Sequence, residues 1–493
     1  MENKLNSARF WIPLICLLCA ALFAIRITGP TDLEGYAQML NVGYVMDMMW
    51  QGHWLVQHNI ENGIMSKPPL HTWLIAPFAA LLGINHLALS LPSLFSVLGL
   101  GLLLFHVGRL RFGIVAGGFA ALAMVLASPM MDKQITLVRT DPLFALTIAA
   151  AAFAAFNAWE SDKSGSKNWV LFWLAGALAT LTKGPLGVLL AAGGLLAYFW
   201  EKRTDPDTQA PRGSHLAGIA IFLFIVLGWF LLAYQQAGRE LTDKQFGEEL
   251  VGQAVGAHKP PYSLRNALTP TGFLLMRFLP FSPFLFYALW RVFRHPAENP
   301  LERRFERFLT CWLLLGVFLF SVIKHQRPDH LLPLWPAAAL LIGRELATLG
   351  SRFGLSARRL MQITAGTCIV LLSLTYLRSH QYIATEGKTT RYSVEVEKAA
   401  AALAKTNINP AQLVHFDTPV TLQMCLKTFR PWKTASELEN LVANTKEPVD
   451  IALGPSKIEA LGFVQRYPNT ARIFCCPVNE SKEAVIQVYR VTP

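Results

Sequence analysis

The chain has 493 residues, of which 53% are hydrophobic and 15% are charged, and its mean hydropathy is +0.36. A soluble protein of this length could not cover so much apolar surface with so few charges, so lipid is the expected solvent. The formal net charge of +12 is accompanied by no nucleic-acid recognition motif, which argues against nucleic acid as a partner.

Apolar runs long enough to cross about 30 Å of hydrocarbon recur along most of the chain. They lie at 8–28, 87–106, 113–130, 141–159, 168–182, 184–200, 214–235, 270–291, 306–323, 331–348 and 360–378, with a shorter run at 70–83. The first run lacks a small-residue cleavage site and is expected to be a retained span. The pattern predicts a polytopic α-helical membrane protein with about 11–13 transmembrane helices.

Lysine and arginine concentrate in alternate loops, a pattern typical of cytoplasmic loops. The basic loops contain Arg109 and Arg111, Lys202 to Arg212, Arg291 to Arg307, and Arg344 to Arg359, and the N-terminus is basic as well. These segments are therefore predicted to face the cytoplasm. Loops 29–69, 130–141, 236–269 and 324–330, together with the tail from residue 379, would lie on the outer face.

Composition becomes polar and mixed near residue 379. Short apolar runs then follow at LVHF, DIAL, RIFCC and AVIQVYRV, separated by helical pieces such as TASELENLVAN. Alternating helix and strand signals of this kind are typical of an α/β fold. The sequence thus predicts a transmembrane domain at 1–378, with outer loops 29–69 and 236–269, and a small α/β domain at 379–493 on the outer face.

Ionisable residues gather near span ends on this predicted outer face. They are Asp32 and Glu34 after the first span, Lys67 in SKPPLHTW, Arg139 and Asp141 in LVRTDPLF, Lys183 in LTKGPLG, and Lys324, Arg327, Asp329 and His330 in KHQRPDH. Each cation alone is explained by snorkelling to the interface, and each acid by solvation. Several cations and two separated carboxylates on one face favour a shared cavity instead. Such a cavity suits a lipid phosphate, held by the cations while a carboxylate orients or deprotonates a nucleophile.

Six elements carry a resemblance to a known family. In chain order they are TDLEGYA, KPPLHTW, Asp141 in RTDP, TLTKGPLG, FLPFSPF and HLLPLWPAAALL. Together they resemble the GT-C glycosyltransferases, in the branch that contains the lipid A aminoarabinose transferases and the protein O-mannosyltransferases, over nearly all of residues 8–378. The resemblance implies an enzyme of the bacterial inner membrane, with its active site and C-terminal domain facing the periplasm. Such enzymes transfer a sugar from a polyprenyl phosphate, usually undecaprenyl phosphate, with inversion at the anomeric carbon.

The resemblance also implies roles for the outer residues. Asp32 takes the place of the catalytic acid, Glu34 is its alternative because Leu33 stands where the family's second acid lies, and Asp141 matches the second outer acid. The donor phosphate would be stabilised by Lys67, with Arg139, Lys183 and Arg327 as further candidates. The loop 236–269, including His258 and Tyr262, would act as a lid near the acceptor.

Two departures from the family pattern concern a metal. Ser66 stands where the aminoarabinose transferases carry Glu, and FGEEL offers Glu248 and Glu249 where a Glu-His pair is usual. These family positions are associated with a bound metal, so no cofactor is predicted and a divalent metal is left open. The expected partners are a polyprenyl-phosphate-linked sugar, membrane lipids, and an acceptor that can be lipid A, another lipid or glycan, or a protein.

Two other functions fit parts of the pattern. A transporter or flippase of lipid-linked sugars would also need interfacial cations, but it should place charges near the bilayer midplane. A membrane-anchored scaffold would leave Lys67, Asp141 and Lys183 without a role. The gathering of charge on one face favours the sugar transferase.

Overall fold

The computed structural model describes residues 7–29, 33–127, 131–161, 165–252, 263–324, 326–385, 388–454, 469–475 and 486–492. Asp32, His258 and Tyr262 lie outside the described residues. The α-helices are α1 Ala8–Ile27, α2 Tyr36–Met46, α3 Leu70–Leu82, α4 His86–Arg111, α5 Ile114–Leu126, α6 Met131–Gln134, α7 Asp141–Trp159, α8 Ser166–Lys183, α9 Leu186–Ala192, α10 Ala197–Thr204, α11 Leu216–Ala237, α12 Arg239–Thr242, α13 Leu264–Arg277, α14 Ser282–Arg294, α15 Pro300–Val322, α16 Trp335–Arg352, α17 Ala357–Thr385, α18 Lys388–Leu403, α19 Val420–Leu426 and α20 Ala435–Asn444.

The described residues also form shorter helical segments and four strands. π-Helical turns occupy Asp47–Gln51 and Asp243–Gly252, and 3₁₀ turns occupy Gly193–Leu196 and Pro328–Leu334. The strands are β1 Val414–Phe416, β2 Val449–Leu453, β3 Thr470–Cys475 and β4 Gln487–Val491.

Several helices are long and apolar enough to cross a membrane, which confirms the predicted multi-pass helical class. Within the described residues these are α1, α4, α7, α11, α15 and the part of α17 at Arg358–Ser379, with a further span if α13 and α14, bent by 117°, are one broken helix. Helices also lie within the predicted runs at 113–130, 168–182, 184–200 and 331–348. Of these, α5 has only 13 residues, and 184–200 is divided into α9, a 3₁₀ turn and α10.

The chain divides into two compact units. The first consists of Met1–Arg26, Ser66–His71 and Leu91–Arg378, and the second of Ile27–Met65, Thr72–Ser90 and Ser379–Pro493. The segment that follows α1 therefore folds with the C-terminal residues, whereas the SKPPLH segment belongs to the helical unit.

Helix α7 lies at the centre of the first unit, where 83% of its apolar stretch is buried. Close helix contacts elsewhere in this unit depend on small residues. A Cβ added at Gly343 of α16 would lie 2.5 Å from Ala116 O and 2.5 Å from Ala120 N of α5. Glycine and alanine thus allow the two backbones to approach, as expected for helices packed in lipid.

Helix α11 lies at the periphery of the first unit. Only 17% of its apolar stretch is buried, and Leu216 and Phe224 are 77% and 82% exposed. Large apolar side chains on an exposed helix are stable when lipid surrounds them. We therefore interpret α11 as a lipid-facing helix and α7 as a core helix of this unit.

The C-terminal part of the second unit is built on a mixed sheet of order β1-β2-β4-β3. β1 pairs with β2 in parallel, and β4 pairs antiparallel with both β2 and β3. Successive residues of β2 face opposite sides: Ala452 packs with residues of α18, and Ile451 with residues of α20. Helices therefore cover both faces, and the sheet predicted from the C-terminal apolar runs is present.

Candidate active site

Asp141 and Lys183 meet because α7 and α8 form an antiparallel helix pair. Asp141 is the first residue of α7 and Lys183 the last of α8, and Lys183 Nζ donates to Asp141 Oδ1. Gly184, at a φ of +107°, ends α8 in a conformation that favours glycine. A carboxylate at a helix start and a cation at a helix end both interact favourably with the helix dipoles. The motifs RTD and TKG are thus placed at one end of the pair.

Arg139 connects this pair to the turn at Pro328–Leu334. Its Nε lies 3.2 Å from Asp141 Oδ2, and its Nη1 lies 2.7 Å from Asp329 Oδ2. Gln134 Nε2 donates to the other oxygen of Asp329 at 3.0 Å. Burial by itself lowers the pKa of Arg139, but the carboxylates of Asp141 and Asp329 outweigh it and raise that pKa. The guanidinium is therefore fixed in its charged form.

Lys67 lies within electrostatic range of Asp141, Arg139 and Lys183, yet it makes no ion pair with any residue that the structure describes. Removal of its side chain from water lowers the pKa of Lys67; Glu249 and Asp141 oppose this shift, and the neighbouring cations strengthen it. A desolvated ammonium without a counterion is an unfavourable arrangement that an anionic ligand would relieve. We call Lys67, Arg139, Asp141, Lys183 and Asp329 the lysine cluster.

His71 borders the lysine cluster four residues after Lys67. It is 2% exposed and lies within electrostatic range of Asp141, and no described residue forms a hydrogen bond with either of its ring nitrogens. A buried imidazole with two unsatisfied nitrogens is costly unless a ligand or water completes it. Neither His71 nor Asp329 was selected as a site residue from sequence, although the first lies inside KPPLHTW and the second inside KHQRPDH.

Arg327 is exposed and does not join the ion pairs of the cluster. It lines a small pocket with Phe273, Phe320, Gln326 and His330. His330 in turn lies close enough to Asp141 for their charges to interact. Of the four cations predicted to bind phosphate, Lys67, Arg139 and Lys183 therefore lie around Asp141. The fourth, Arg327, lines the neighbouring pocket.

Glu34 has a structural partner in the second unit. Its carboxylate accepts the backbone N–H of Val420 at 3.1 Å and of Thr421 at 2.9 Å, at the start of α19. Burial raises the pKa of Glu34, and these hydrogen bonds offset part of the rise. The sequence predicts Glu34 as an alternative catalytic acid. In the structure both of its oxygens accept backbone N–H groups at the start of α19.

Two further predictions concern the segment around the lid. His258 and Tyr262 lie outside the described residues, as does Asp32, so their roles stay predictions. Glu248, in the π-helical turn Asp243–Gly252, forms an ion pair of 2.6 Å with Lys244. Glu249, its neighbour, contributes negative charge near Lys67.

A second charged group lies at the other end of α7. Glu160 caps α7 and accepts two hydrogen bonds of 2.7 Å from Arg304. Glu201 accepts from Arg303 at 2.7 Å and from Arg307 at 2.5 Å. Glu306 accepts from Arg344, and Glu345 accepts from Arg291 at 2.9 Å. We call these residues the arginine cluster. The 19-residue helix α7 separates Glu160 from Asp141 by about 28 Å, at 1.5 Å per residue.

The comparisons with known proteins agree with this architecture. Residues 66–230 match the family model described as dolichyl-phosphate-mannose-protein mannosyltransferase. An undecaprenyl phosphate-alpha-4-amino-4-deoxy-L-arabinose arabinosyl transferase of Erwinia tasmaniensis is 24% identical, over 72% of this chain and 64% of that protein. An uncharacterised protein of Aquifex aeolicus is also 24% identical, over 56% of this chain and 52% of its own length. The chain therefore spans about half to two thirds of these relatives.

Solved structures share the fold over a larger part of the chain. The crystal structure of ArnT from Cupriavidus metallidurans bound to undecaprenyl phosphate has a TM-score of 0.74 at 18% identity, and 98% of each chain is covered. An oligosaccharyltransferase of Archaeoglobus fulgidus has a TM-score of 0.54 at 10% identity, over 90% of this chain and 70% of that one. The chain is thus a polytopic protein that shares the fold of these two structures, and its sequence is similar to the arabinosyl transferases and, over residues 66–230, to the mannosyltransferase family model.

Proposed function

We propose that this protein transfers a sugar from a polyprenyl-phosphate donor to an acceptor on the periplasmic side of the bacterial inner membrane. The observation that carries the proposal is Lys67, a desolvated side chain that makes no ion pair with the described residues and lies within electrostatic range of Arg139 and Lys183. A phosphate would supply a counterion. The related arabinosyl transferases are named for an undecaprenyl-phosphate-linked donor, which fits a ligand of this class.

In the proposed reaction the bond between the anomeric carbon and the phosphate oxygen breaks as the acceptor oxygen attacks from the opposite face. The electron pair stays on the phosphate, which leaves as polyprenyl phosphate with one more negative charge. Lys67 stabilises that charge as it develops, and Arg139 and Lys183 add positive potential. This charge stabilisation does not require a metal.

Asp141 holds the cations in this proposal. Lys183 Nζ donates to one of its oxygens and Arg139 Nε forms an ion pair of 3.2 Å with the other, and two adjacent cations make this carboxylate a poor proton acceptor. We assign Asp141 to the positioning of Lys183 and Arg139. The proton of a hydroxyl acceptor would pass to Asp32, the acid that the sequence singles out, whereas a phosphate acceptor would need no base.

The finer points of the proposal rest on the sequence and on relatives. The acceptor is a lipid such as lipid A, another glycan or a protein, since the relatives include both arabinosyl transferases and protein mannosyltransferases. The periplasmic direction follows from the positive-inside pattern, which places the arginine cluster in the cytoplasm and the lysine cluster outside. Charges at the two ends of α7, rather than at its middle, favour an enzyme over a flippase.

The test measures donor-side binding by the full-length protein in detergent, with undecaprenyl phosphate as the probe. We expect Lys67→Ala and Lys183→Ala to weaken binding at least about tenfold, because each removes a charge-assisted contact to the phosphate. Lys167→Ala is the matched control, since Lys167 is exposed near the opposite end of α8 from Lys183. Equal affinity in Lys67→Ala and Lys167→Ala would overturn the phosphate role of Lys67.

A second experiment addresses the acid. We expect Asp32→Asn to abolish transfer to a hydroxyl acceptor while the protein stays folded and binds undecaprenyl phosphate normally. Transfer is followed by mass spectrometry of envelope lipids and glycans, as the loss of one sugar-sized increment. Unchanged transfer in Asp32→Asn would remove Asp32 from the reaction and make Glu34→Gln the next variant.

A further inference from the structure

A cluster of three metal-ligating side chains lies in the segment between α2 and α3, within the second unit. Asp47 Oδ1 lies 2.9 Å from His53 Nδ1, and Asp47 Oδ2 lies 3.2 Å from His58 Nδ1. The ligand atoms of the three residues all lie within 4.8 Å of one another. This cluster has no part in the proposed sugar transfer, and the sequence pattern did not identify it.

The spacing suits a tetrahedral ion. Zinc–nitrogen and zinc–carboxylate distances near 2.0–2.1 Å place neighbouring ligand atoms about 3.3 Å apart in a tetrahedron. The two Asp–His separations, 2.9 Å to Oδ1 and 3.2 Å to Oδ2 of Asp47, are close to that edge length. Rotation of the carboxylate and of the imidazole rings would bring one oxygen and two nitrogens around one centre. Two histidines and one carboxylate form a ligand set that zinc prefers, with one position left for water or an anion.

The backbone around the cluster is held rigidly. Asp47 is 2% exposed and starts the π-helical turn Asp47–Gln51, a type of local distortion frequently found at functional sites. His58 lies in a short hairpin, paired with Ile64, and its backbone N–H donates to Asp47 Oδ2 at 2.7 Å. The carboxylate and one imidazole are therefore positioned before any ion binds.

A close backbone contact fixes the hairpin against α2. A Cβ added at Gly43 of α2 would lie 2.7 Å from Ile60 N and 3.1 Å from Asn59 Cα. The Asn59 side chain accepts the backbone N–H groups of Glu61 and Gly63, at 2.8 Å and 3.0 Å, and closes the hairpin turn. These contacts do not use the side chains of His53 and His58, so the hairpin does not depend on those two.

Access to the cluster is through His53. Its side chain is 43% exposed and that of His58 is 31% exposed, whereas that of Asp47 is 3% exposed. A buried carboxylate with two partly exposed imidazoles provides a negative charge inside and an entry path outside. A cation that bound there would link α2 to the hairpin through side chains spread over 12 residues of sequence.

We propose that Asp47, His53 and His58 form a binding site for a divalent transition-metal ion of the zinc class, which cross-links the segment between α2 and α3. On binding, each histidine donates the lone pair of Nδ1 to the ion and keeps one proton on Nε2; a proton displaced from Nδ1 passes to Nε2 or, from an imidazolium, to solvent. These three residues differ from Ser66 and the FGEEL segment, which match the positions that the family resemblance associates with a bound metal.

The experiment titrates Zn²⁺ into the full-length, tag-free protein in detergent after chelator treatment. We expect one ion per chain, an increase in Tm on binding, and the ligand-field bands of a tetrahedral site when Co²⁺ replaces Zn²⁺. His53→Gln and His58→Gln should each weaken Zn²⁺ binding at least about tenfold. His295→Gln, at an exposed histidine of the first unit, is the control and should bind as the native chain does.

The variants are chosen so that folding does not obscure the result. His58→Gln keeps the backbone N–H that donates to Asp47, and His53 is exposed enough for substitution. Failure of the native chain to bind Zn²⁺, or binding that is equal in the native chain, His53→Gln and His58→Gln, would overturn the proposal. Because the readouts are binding, Tm and a spectrum, they are independent of whether the sugar-transfer proposal holds.

Discussion

The lysine cluster and the arginine cluster lie at opposite ends of α7 and differ in how completely their buried charges are paired. In the arginine cluster, the buried carboxylates of Glu201, Glu306 and Glu345 each accept from an arginine, and Glu201 accepts from two. In the lysine cluster, Arg139 and Lys183 have carboxylate partners, but Lys67 has none among the described residues. Buried charges that are paired hold helices together, whereas an unpaired cation attracts a ligand.

The largest effect should come from breaking the arginine cluster. Glu201 is 0% exposed, and Glu201→Gln would leave Arg303 and Arg307 without their shared counterion. We expect the free energy of unfolding to fall by about 3–5 kcal/mol, as is typical when one partner of a buried ion pair is removed. Unfolding in detergent, followed by circular dichroism during titration with denaturant, measures the change.

Glu298→Gln provides the control for this variant, because Glu298 is exposed on the same side of the molecule. It should change stability by less than about 0.5 kcal/mol. If Glu201→Gln and Glu298→Gln are equally stable, the arginine cluster does not hold α10 and α15 together. Undecaprenyl phosphate affinity of the folded fraction should be the same in both variants, since neither touches the lysine cluster.

An intermediate effect is expected from Asp141→Asn. The amide cannot hold Arg139 and Lys183 together, so Lys183 loses its counterion, Arg139 keeps only Asp329, and Lys183 can bind phosphate in unproductive positions. We expect kcat for transfer to fall about 10–100-fold while undecaprenyl phosphate binds at least as tightly as before. Steady-state kinetics and binding measurements on the same preparation separate these two changes.

The control for Asp141→Asn is Asp207→Asn, an exposed position beyond α10. A purely structural role for Asp141 would lower Tm and reduce the active fraction without changing the ratio of kcat to affinity. Loss of undecaprenyl phosphate binding together with kcat would show that Asp141 supports the binding site instead of restraining its cations.

The sequence predicted the lysine cluster better than the arginine cluster, and there is a physical reason. RTD and TKG lie at the ends of two apolar runs that a short loop connects, so an antiparallel helix pair brings Asp141 and Lys183 together. The arginines were interpreted by the positive-inside pattern, which counts charges and ignores partners. Glu160 and Arg304 are 144 residues apart, and only tertiary packing reveals their pairing.

Glu34 and His58 also make contacts that the sequence alone does not reveal. A carboxylate next to a catalytic-type motif looks available in sequence, but Glu34 holds the start of α19, 386 residues further along the chain. His58 looks like an ordinary loop residue until the hairpin turns it toward Asp47. The multi-pass fold and the C-terminal sheet follow from hydrophobic patterns, whereas these two contacts depend on where distant segments meet.

The smallest effect, and the most direct test of the comparison, is expected from Lys67→Met. If Lys67 is a desolvated cation without a counterion, replacing it with an apolar side chain of similar length should raise the free energy of unfolding by roughly 1 kcal/mol while undecaprenyl phosphate binding weakens. The native chain should regain stability when undecaprenyl phosphate is added, and Lys67→Met should not. Thermal unfolding in phosphate-free detergent, with and without the lipid, compares them.

The stability difference between Lys67→Met and the native chain should change with pH in a defined direction. Because the pKa of Lys67 in the folded protein is lowered from the usual 10.5, the unfolded chain binds its proton more tightly between those two values. The destabilisation by Lys67 is therefore complete below its folded pKa and disappears as the pH rises from there toward 10.5. The stability difference between Lys67→Met and the native chain should shrink over the same range, since other groups titrate alike in both. A difference that is constant with pH would mean that Lys67 is already neutralised by a partner, and the contrast between the two clusters would then lose its basis.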